Sequence, residues 1–356
     1  MGGPGGELDV VVVGGGQAAL AAGYFLRRAE ADFLILDDNP TPGGSWREYW
    51  DSLRLFSPAG HSMLPGWWMP QEEGREYPSA SHVVRYLSEY ERRYALPVRR
   101  PVRVRGVQRA GRTLRVLSDQ DTWRAHHVIS ATGTWRAPHT PDLAGREVFT
   151  GRQLHTVDYR VPREFGGQRV VVVGGGNSAA QILAELSLVA ETLWATARPP
   201  RFLPDELDGR ALFSIATRRQ QALERGQSAP GIGELGDIVA VPSVRRARDR
   251  GALKAEPMFD HLTPTGVAWA DGTTWDCDAV LWCTGFRPVL DHLEPLGVVR
   301  PNGRVKVEGN RAVEEPRLHL LGYGDWTGGA SDTIIGAGRT AKRAVAEIIR
   351  DLDRHG

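Results

Sequence analysis

Two glycine-rich loops carry the clearest chemistry in this sequence. Val10-Val-Val-Val-Gly-Gly-Gly-Gln-Ala-Ala19 returns as Val170-Val-Val-Val-Gly-Gly-Gly-Asn-Ser-Ala179. Each copy reads as a buried strand, a tight turn and a helix of small residues. In such a loop the first glycine allows the bend and the second lets the backbone approach a pyrophosphate. The third position packs helix on strand, and Ala is tolerated there. Gly14, Gly16 and Ala19 fill these places in the first copy; Gly174, Gly176 and Ala179 fill them in the second. The helix starts at Gln17 and Ala18, and at Asn177 and Ser178, are then expected to turn their amides toward phosphates.

The residues beyond each loop distinguish the two nucleotides. The run Phe33-Leu-Ile-Leu36 ends in Asp37, about 20 residues past the glycines, where a carboxylate accepts hydrogen bonds from an adenosine ribose. Asp38 is the neighbouring alternative. In the second unit, Thr192-Leu-Trp-Ala-Thr196 is followed by Arg198 and Arg201 and by no acid. Arginine at this place accommodates a 2′-phosphate, so NADPH is expected over NADH.

The elements that must position these loops form an α/β chain with two Rossmann-like dinucleotide-binding domains. A length of 356 residues, 41% hydrophobic and 24% charged, is ordinary for two globular domains. A formal net charge of +1 provides no field for nucleic acid or an anionic membrane. Residues 83–94 have helical spacing, residues 101–130 alternate like strands with a turn at Ala110-Gly111, and residues 205–250 are helix-prone. Arg339 to Leu352 places Ala341, Ala344, Val345, Ile348 and Leu352 on one helical face. The only two cysteines, Cys277 and Cys283, make no C-x-x-C pair, which counts against disulfide chemistry. With no secretory h-region and no membrane-length apolar run, a cytoplasmic protein is expected. Neither an H-E-x-x-H, a G-x-S-x-G nor a Cys/His cluster is present, so no metal or side-chain nucleophile is expected.

In this order the elements resemble the two-dinucleotide-binding flavoproteins, specifically the flavin-containing monooxygenases, over nearly the whole chain. The most specific match is Phe149-Thr-Gly-Arg-Gln-Leu-His-Thr-Val-Asp-Tyr159, which fits the F-x-G-x-x-x-H-x-x-x-(Y/F/W) signature of that group. Gly43-Gly44-Ser45-Trp46 looks like the G-G-x-W that borders the flavin. Ala131-Thr132-Gly133 and Cys283-Thr284-Gly285 look like the two crossover strands, and Gly324-Asp325 looks like the G-D element that reaches the FAD ribityl or pyrophosphate. A helix starting near Gly338, with Thr333 ahead of it among the expected cofactor contacts, would aim its positive end at the isoalloxazine. Asp51–Gly60 with Leu64–Trp67, and Arg201–Arg210, are similar to the ArsO-type flavin monooxygenases of bacterial arsenic-resistance operons.

The resemblance implies FAD on residues 7–150 and 286–356, NADPH on residues 151–285, and an active site in the cleft between them. It implies that NADPH reduces FAD and that a C4a-(hydro)peroxyflavin oxygenates a soft nucleophile (nitrogen, sulfur or trivalent arsenic) with O2 as co-substrate. A Baeyer–Villiger enzyme and an NADPH oxidase or flavin reductase are the alternatives. The family usually keeps an Asn after G-G-x-W, where this chain reads Leu55-Phe56-Ser57-Pro58. Ser57 and His155 are therefore the candidate catalytic residues, His155 more as a positioner of the linker and nicotinamide than as a proton donor. A homodimer would be in keeping with the family.

Overall fold

The computed structural model describes residues 6–205 and 238–355. The chain opens with β1 (Glu7–Val13), α1 (Gln17–Arg28) and β2 (Phe33–Leu36). Val10–Val13 are all buried, and β1 pairs in parallel along both edges; an interior parallel strand covered on both faces is apolar without alternation. Ala18, Ala19, Ala21 and Ala22 are buried on α1, and such short side chains bring the helix close to the sheet.

The helix α2 (Ala80–Arg93) is capped by Ser79, whose Oγ accepts the His82 amide at 3.2 Å. It buries Val83, Tyr86, Leu87 and Tyr90 along one face. Next come β3 (Val98–Arg99) and an antiparallel meander of β4 (Val104–Ala110), β5 (Thr113–Ser118) and β6 (Thr122–Ser130). The turn read at Ala110-Gly111 stands between the first two, with Gly111 at φ +66°.

The second sheet begins with β7 (Arg152–His155), β8 (Arg169–Val173), α3 (Asn177–Leu186) and β9 (Glu191–Thr196). After α4 (Pro242–Asp249) it adds β10 (Ala255–Pro257). A small antiparallel sheet of β11 (His261–Leu262), β12 (Gly266–Ala268) and β13 (Thr274–Asp276) precedes β14 (Ala279–Trp282). The five parallel strands run β10-β9-β8-β14-β7. Most of the helix-prone stretch 205–250, and the end of the Arg201–Arg210 match, lie outside the described residues.

The C-terminal part supplies β15 (Val307–Glu308), β16 (Arg311–Ala312), β17 (Leu318–Leu320) and α5 (Ile334–His355). These strands complete the first sheet in the order β15-β16-β17-β6-β1-β2-β3. The last helix begins four residues before the expected start at Gly338. Gly336 and Gly338 lie inside it because a Cβ at Gly336 would meet the Ala330 carbonyl, and one at Gly338 would sit 3.1 Å from Pro65. The glycines mark close packing there, not a helix boundary.

By packing, the described residues form two compact units. The first takes the residues up to Arg47, Pro58–Ala137 and those from Arg287 onward. The second takes Glu48–Ser57 and Pro138–Phe286. No helix among the described residues is long and apolar enough to cross a membrane.

Candidate functional site

In the first unit the loop after β1 is shaped by close backbone approach. Gly14 has φ +107°, and a Cβ there would lie 2.4 Å from the Ala131 carbonyl oxygen, so only glycine fits. A Cβ at Gly15 would lie 2.2 Å from Asp37 Oδ2, whereas one at Gly16 meets nothing within 4 Å. Gly16 is the N-cap of α1 and offers no capping side chain, so the first-turn amides at Gln17 and Ala18 have no side-chain cap from it. This is the cradle a pyrophosphate needs.

Other expected residues gather around that helix start. A Cβ at Gly44 would lie 3.0 Å from Gly16 Cα, and one at Gly322 would lie 2.9 Å from the Ala18 methyl. Trp46 Nε1 donates to Gln17 Oε1 at 2.8 Å, and Gln17 Nε2 donates to the Asp332 carbonyl at 2.6 Å. Gln17 thereby ties the Gly43–Trp46 turn to the loop ahead of α5. Asp325 is exposed, and its Oδ1 accepts the Ala330 amide at 3.1 Å. Thr333 serves as the N-terminal cap of α5, its Oγ1 accepting the Gly336 amide at 3.1 Å.

Asp37 is 1% exposed and already well supplied with donors. Arg100 Nε donates to its Oδ2 at 2.8 Å and Asn39 Nδ2 to its Oδ1 at 2.8 Å. The same arginine grips Glu91 with both terminal nitrogens at 2.7 Å. Asp38 pairs with Arg136; burial, ahead of the opposing arginine, pushes its carboxyl above the ordinary range.

Beneath the loop lies a buried hydroxyl network. The Tyr323 hydroxyl sits 2.6 Å from Ser130 Oγ and 2.7 Å from Thr132 Oγ1, and Thr132 Oγ1 donates to the Val289 carbonyl at 2.6 Å. Gly133, at φ +70°, accepts the Val289 amide at 3.0 Å. Tyr323 thus fastens the Gly322–Asp325 element to the Ala131–Gly133 crossover. Gly15, Arg100 and Tyr323 were not singled out from the sequence. Tyr323, set between the two glycines of Gly322-Tyr-Gly324, carried the one readable hint.

The second unit repeats the device. Gly174 has φ +132°, and a Cβ there would lie 2.2 Å from the Cys283 carbonyl oxygen, as Gly14 lies against Ala131. Trp194 Nε1 donates to the Gly174 carbonyl at 2.7 Å. Gly176 is the N-cap of α3 with nothing within 4 Å of its would-be Cβ. Asn177 Oδ1 accepts the Val239 amide at 2.8 Å, and Ser178 is half-buried beside it. The strand end differs from the first unit: Gly175 meets only the Thr196 methyl at 4.0 Å. Arg198 is exposed there, with no hydrogen bond or ion pair among the described residues.

The matched positions of the Phe149–Tyr159 signature pack closely against their neighbours. A Cβ at Gly151 would lie 2.4 Å from the Phe149 ring. His155 is 5% exposed, its Nε2 is 3.0 Å from the Gly285 carbonyl, and its ring meets Phe286 edge-on at 5.0 Å. Burial lowers its pKa against the raising effect of that carbonyl. The Gly285 carbonyl can only accept, so Nε2 donates to it and His155 is tied to the Cys283–Gly285 crossover. Tyr159 is 1% exposed and donates to Glu185 Oε1 at 2.6 Å. Ser57 is 5% exposed and belongs to the second unit, whereas Gly44 and Trp46 belong to the first. Burial pushes both thiols, Cys277 and Cys283, up to about 12, which keeps them un-ionised and unreactive near neutral pH.

Fold and sites define an oxidoreductase with two dinucleotide-binding units. Residues 11–225 match the pyridine nucleotide-disulphide oxidoreductase family. A flavin-containing monooxygenase from Stenotrophomonas maltophilia is 50% identical, with a TM-score of 0.89, over 97% of this chain and 99% of that one. The Bacillus subtilis protein named uncharacterized oxidoreductase CzcO is 27% identical over 299 residues, 83% of this chain and 86% of its own length. Rice indole-3-pyruvate monooxygenase YUCCA8 is 27% identical across 95% of this chain and 90% of its own. The chain belongs to the pyridine nucleotide-disulphide oxidoreductase family and, within it, to the flavin monooxygenases.

Proposed function

We propose that the protein is an NADPH-dependent FAD monooxygenase that transfers one oxygen atom from O2 to a soft nucleophile, an amine, a sulfide or a trivalent arsenical. The observation that carries this reading is the duplicated cradle with two different strand ends. The first end has a buried carboxylate, Asp37, held by Arg100. The second has an exposed guanidinium, Arg198, with no partner among the described residues. The first suits the ribose of FAD, the second a 2′-phosphate. Reduced FAD supplies the electrons that activate O2.

The chain's own groups bind and orient. The α1 and α3 starts receive the two pyrophosphates, Gln17 fixes the Gly43–Trp46 turn, and Asp325 lies on the loop that Tyr323 fastens. Ser57 is the hydrogen-bonding group proposed in the place of the family's Asn, and His155 the positioner of the nucleotide. The likeness of Asp51–Gly60 with Leu64–Trp67 to the arsenic-resistance enzymes is what brings the trivalent arsenical among the substrates. Because Ser57 replaces Asn, NADPH oxidation without oxygen transfer stays a second reading.

Stopped-flow spectroscopy tests both. The holoprotein is reduced with NADPH and mixed with O2. A transient near-ultraviolet band, distinct from reduced and oxidised flavin, whose decay is accelerated by a sulfide or trivalent arsenical, supports oxygenation. Direct return of oxidised flavin with stoichiometric hydrogen peroxide, unchanged by any such substrate, sinks it in favour of the oxidase.

A further inference from the structure

Residues 48–57 follow the Gly43–Trp46 turn in sequence yet pack within the second unit, and the chain rejoins the first unit at Pro58. Contacts with Tyr159, Arg160 and Glu185 help to hold this strap. Trp50, 1% exposed, meets the Tyr159 ring edge-on at 6.3 Å. The Asp51 amide donates to the Arg160 carbonyl at 3.3 Å, and Arg160 Nη1 donates to the Glu48 carbonyl at 2.7 Å. Ser52 Oγ donates to Glu185 Oε2 at 2.5 Å.

Glu185 sits at the C-terminal end of α3, the helix that begins at the Gly174–Gly176 cradle. Its other oxygen accepts the Tyr159 hydroxyl. One carboxylate therefore joins the nucleotide helix, the last residue of the Phe149–Tyr159 signature and the strap. Glu185 is half-buried, and an acid withdrawn from water costs more than an apolar residue unless its oxygens are satisfied. Here each oxygen has a hydroxyl donor, one of them from the exposed Ser52. Burial raises the carboxyl's pKa, and the two hydroxyls oppose that rise. A residue needed only to fill space would not call for two convergent hydroxyls.

We propose that Glu185 is a positioning residue that pins the strap 48–57, with Ser57 at its end, to the nucleotide-binding helix. The strap residues are thereby set by the second unit, although their sequence neighbours bind in the first. The effect on turnover rests on the proposed function; the pinning itself does not.

The test uses full-length protein and the variants Ser52→Ala, Ser52→Thr and Glu185→Leu. Hydrogen exchange comes first, without added nucleotide. In Ser52→Ala, amides of 48–57 exchange about fivefold faster, the opening cost of one hydrogen bond of about 1 kcal/mol. Exchange in α3 and β8 stays as in the wild type, and Ser52→Thr restores the strap. Unchanged strap exchange in Ser52→Ala, or equal acceleration throughout the unit, overturns the pinning. Ser52→Ala keeps the test decisive if Glu185→Leu fails to fold.

Turnover is read second. In Ser52→Ala the share of NADPH consumption recovered as hydrogen peroxide rises severalfold, while the KM for NADPH stays near the wild-type value. An unchanged peroxide share despite a loosened strap overturns the functional half. A wild-type protein that consumes no NADPH overturns the proposed function alone and leaves the exchange result standing.

Discussion

An added Cβ at Gly15 would lie 2.2 Å from Asp37 Oδ2, whereas one at Gly175 meets nothing nearer than the Thr196 methyl at 4.0 Å. Neither glycine has a positive φ, so the difference is one of space. Gly15→Ala must displace a carboxylate held by Arg100 and Asn39, an overpacking that costs about 1–3 kcal/mol. Gly175→Ala is expected to be nearly neutral. Thermal unfolding checks the pair, and equal melting temperatures would refute the steric account. At the far end of the second loop, Arg198→Ala removes an exposed cation that has no partner among the described residues. It should raise the KM for NADPH roughly tenfold, about 1.4 kcal/mol, and leave that for NADH nearly unchanged; equal losses with both nucleotides would remove Arg198 from the 2′-phosphate. The loop glycines were legible because the motif is written twice. Arg100 was not, since an arginine more than sixty residues beyond Asp37 gives no sign in sequence of lying against it.

Elements were readable where their periodicity was local and obscured where tertiary packing set their limits. Residues 83–94 displayed the spacing of α2, and the Val runs displayed β1 and β8, because burial on one or two faces prints directly on residue type. The start of α5 was hidden by Gly336 and Gly338, which packing demands and propensity disfavours. The strap 48–57 was equally hidden: its membership depends on Tyr159, Arg160 and Glu185, all distant in sequence. Thr333 gives the helix start a test of its own. Its Oγ1 accepts the Gly336 amide and also donates to the Ala330 carbonyl at 2.7 Å. Thr333→Ala should cost about 1 kcal/mol of stability, and Thr333→Ser should recover most of it. Full stability in Thr333→Ala, read by urea unfolding, would show that packing alone sets the helix start.

Across the whole molecule, the buried histidines of the first unit include His127, His292 and His319. His127 and His292 are lowered to about 4 and His319 to about 3, burial being the largest cause in each. His319 is 0% exposed, and neither ring nitrogen has a hydrogen-bond partner among the described residues. Its ring lies 5.8 Å from that of His127, on the adjacent strand. Arg311 disfavours a proton on both rings, while Asp351 favours one on His127. The unfolded chain takes up protons as pH falls through the ordinary value of 6.5, and the folded rings do not. The stability these rings provide is therefore complete above pH 6.5 and drains away as pH falls toward 4. In that window each ring contributes a slope of up to about 1.4 kcal/mol per pH unit. The first unit should accordingly loosen before the second on acidification, because His155 is the one buried histidine described in the second. Pulse proteolysis at fixed FAD concentration between pH 7 and pH 5, with fragments mapped by mass spectrometry, locates the loss. His319→Leu removes an unsatisfied buried ring and its proton uptake, so it should flatten the pH dependence by up to one proton. The same steepness in His319→Leu as in the wild type would show that the acid sensitivity arises elsewhere.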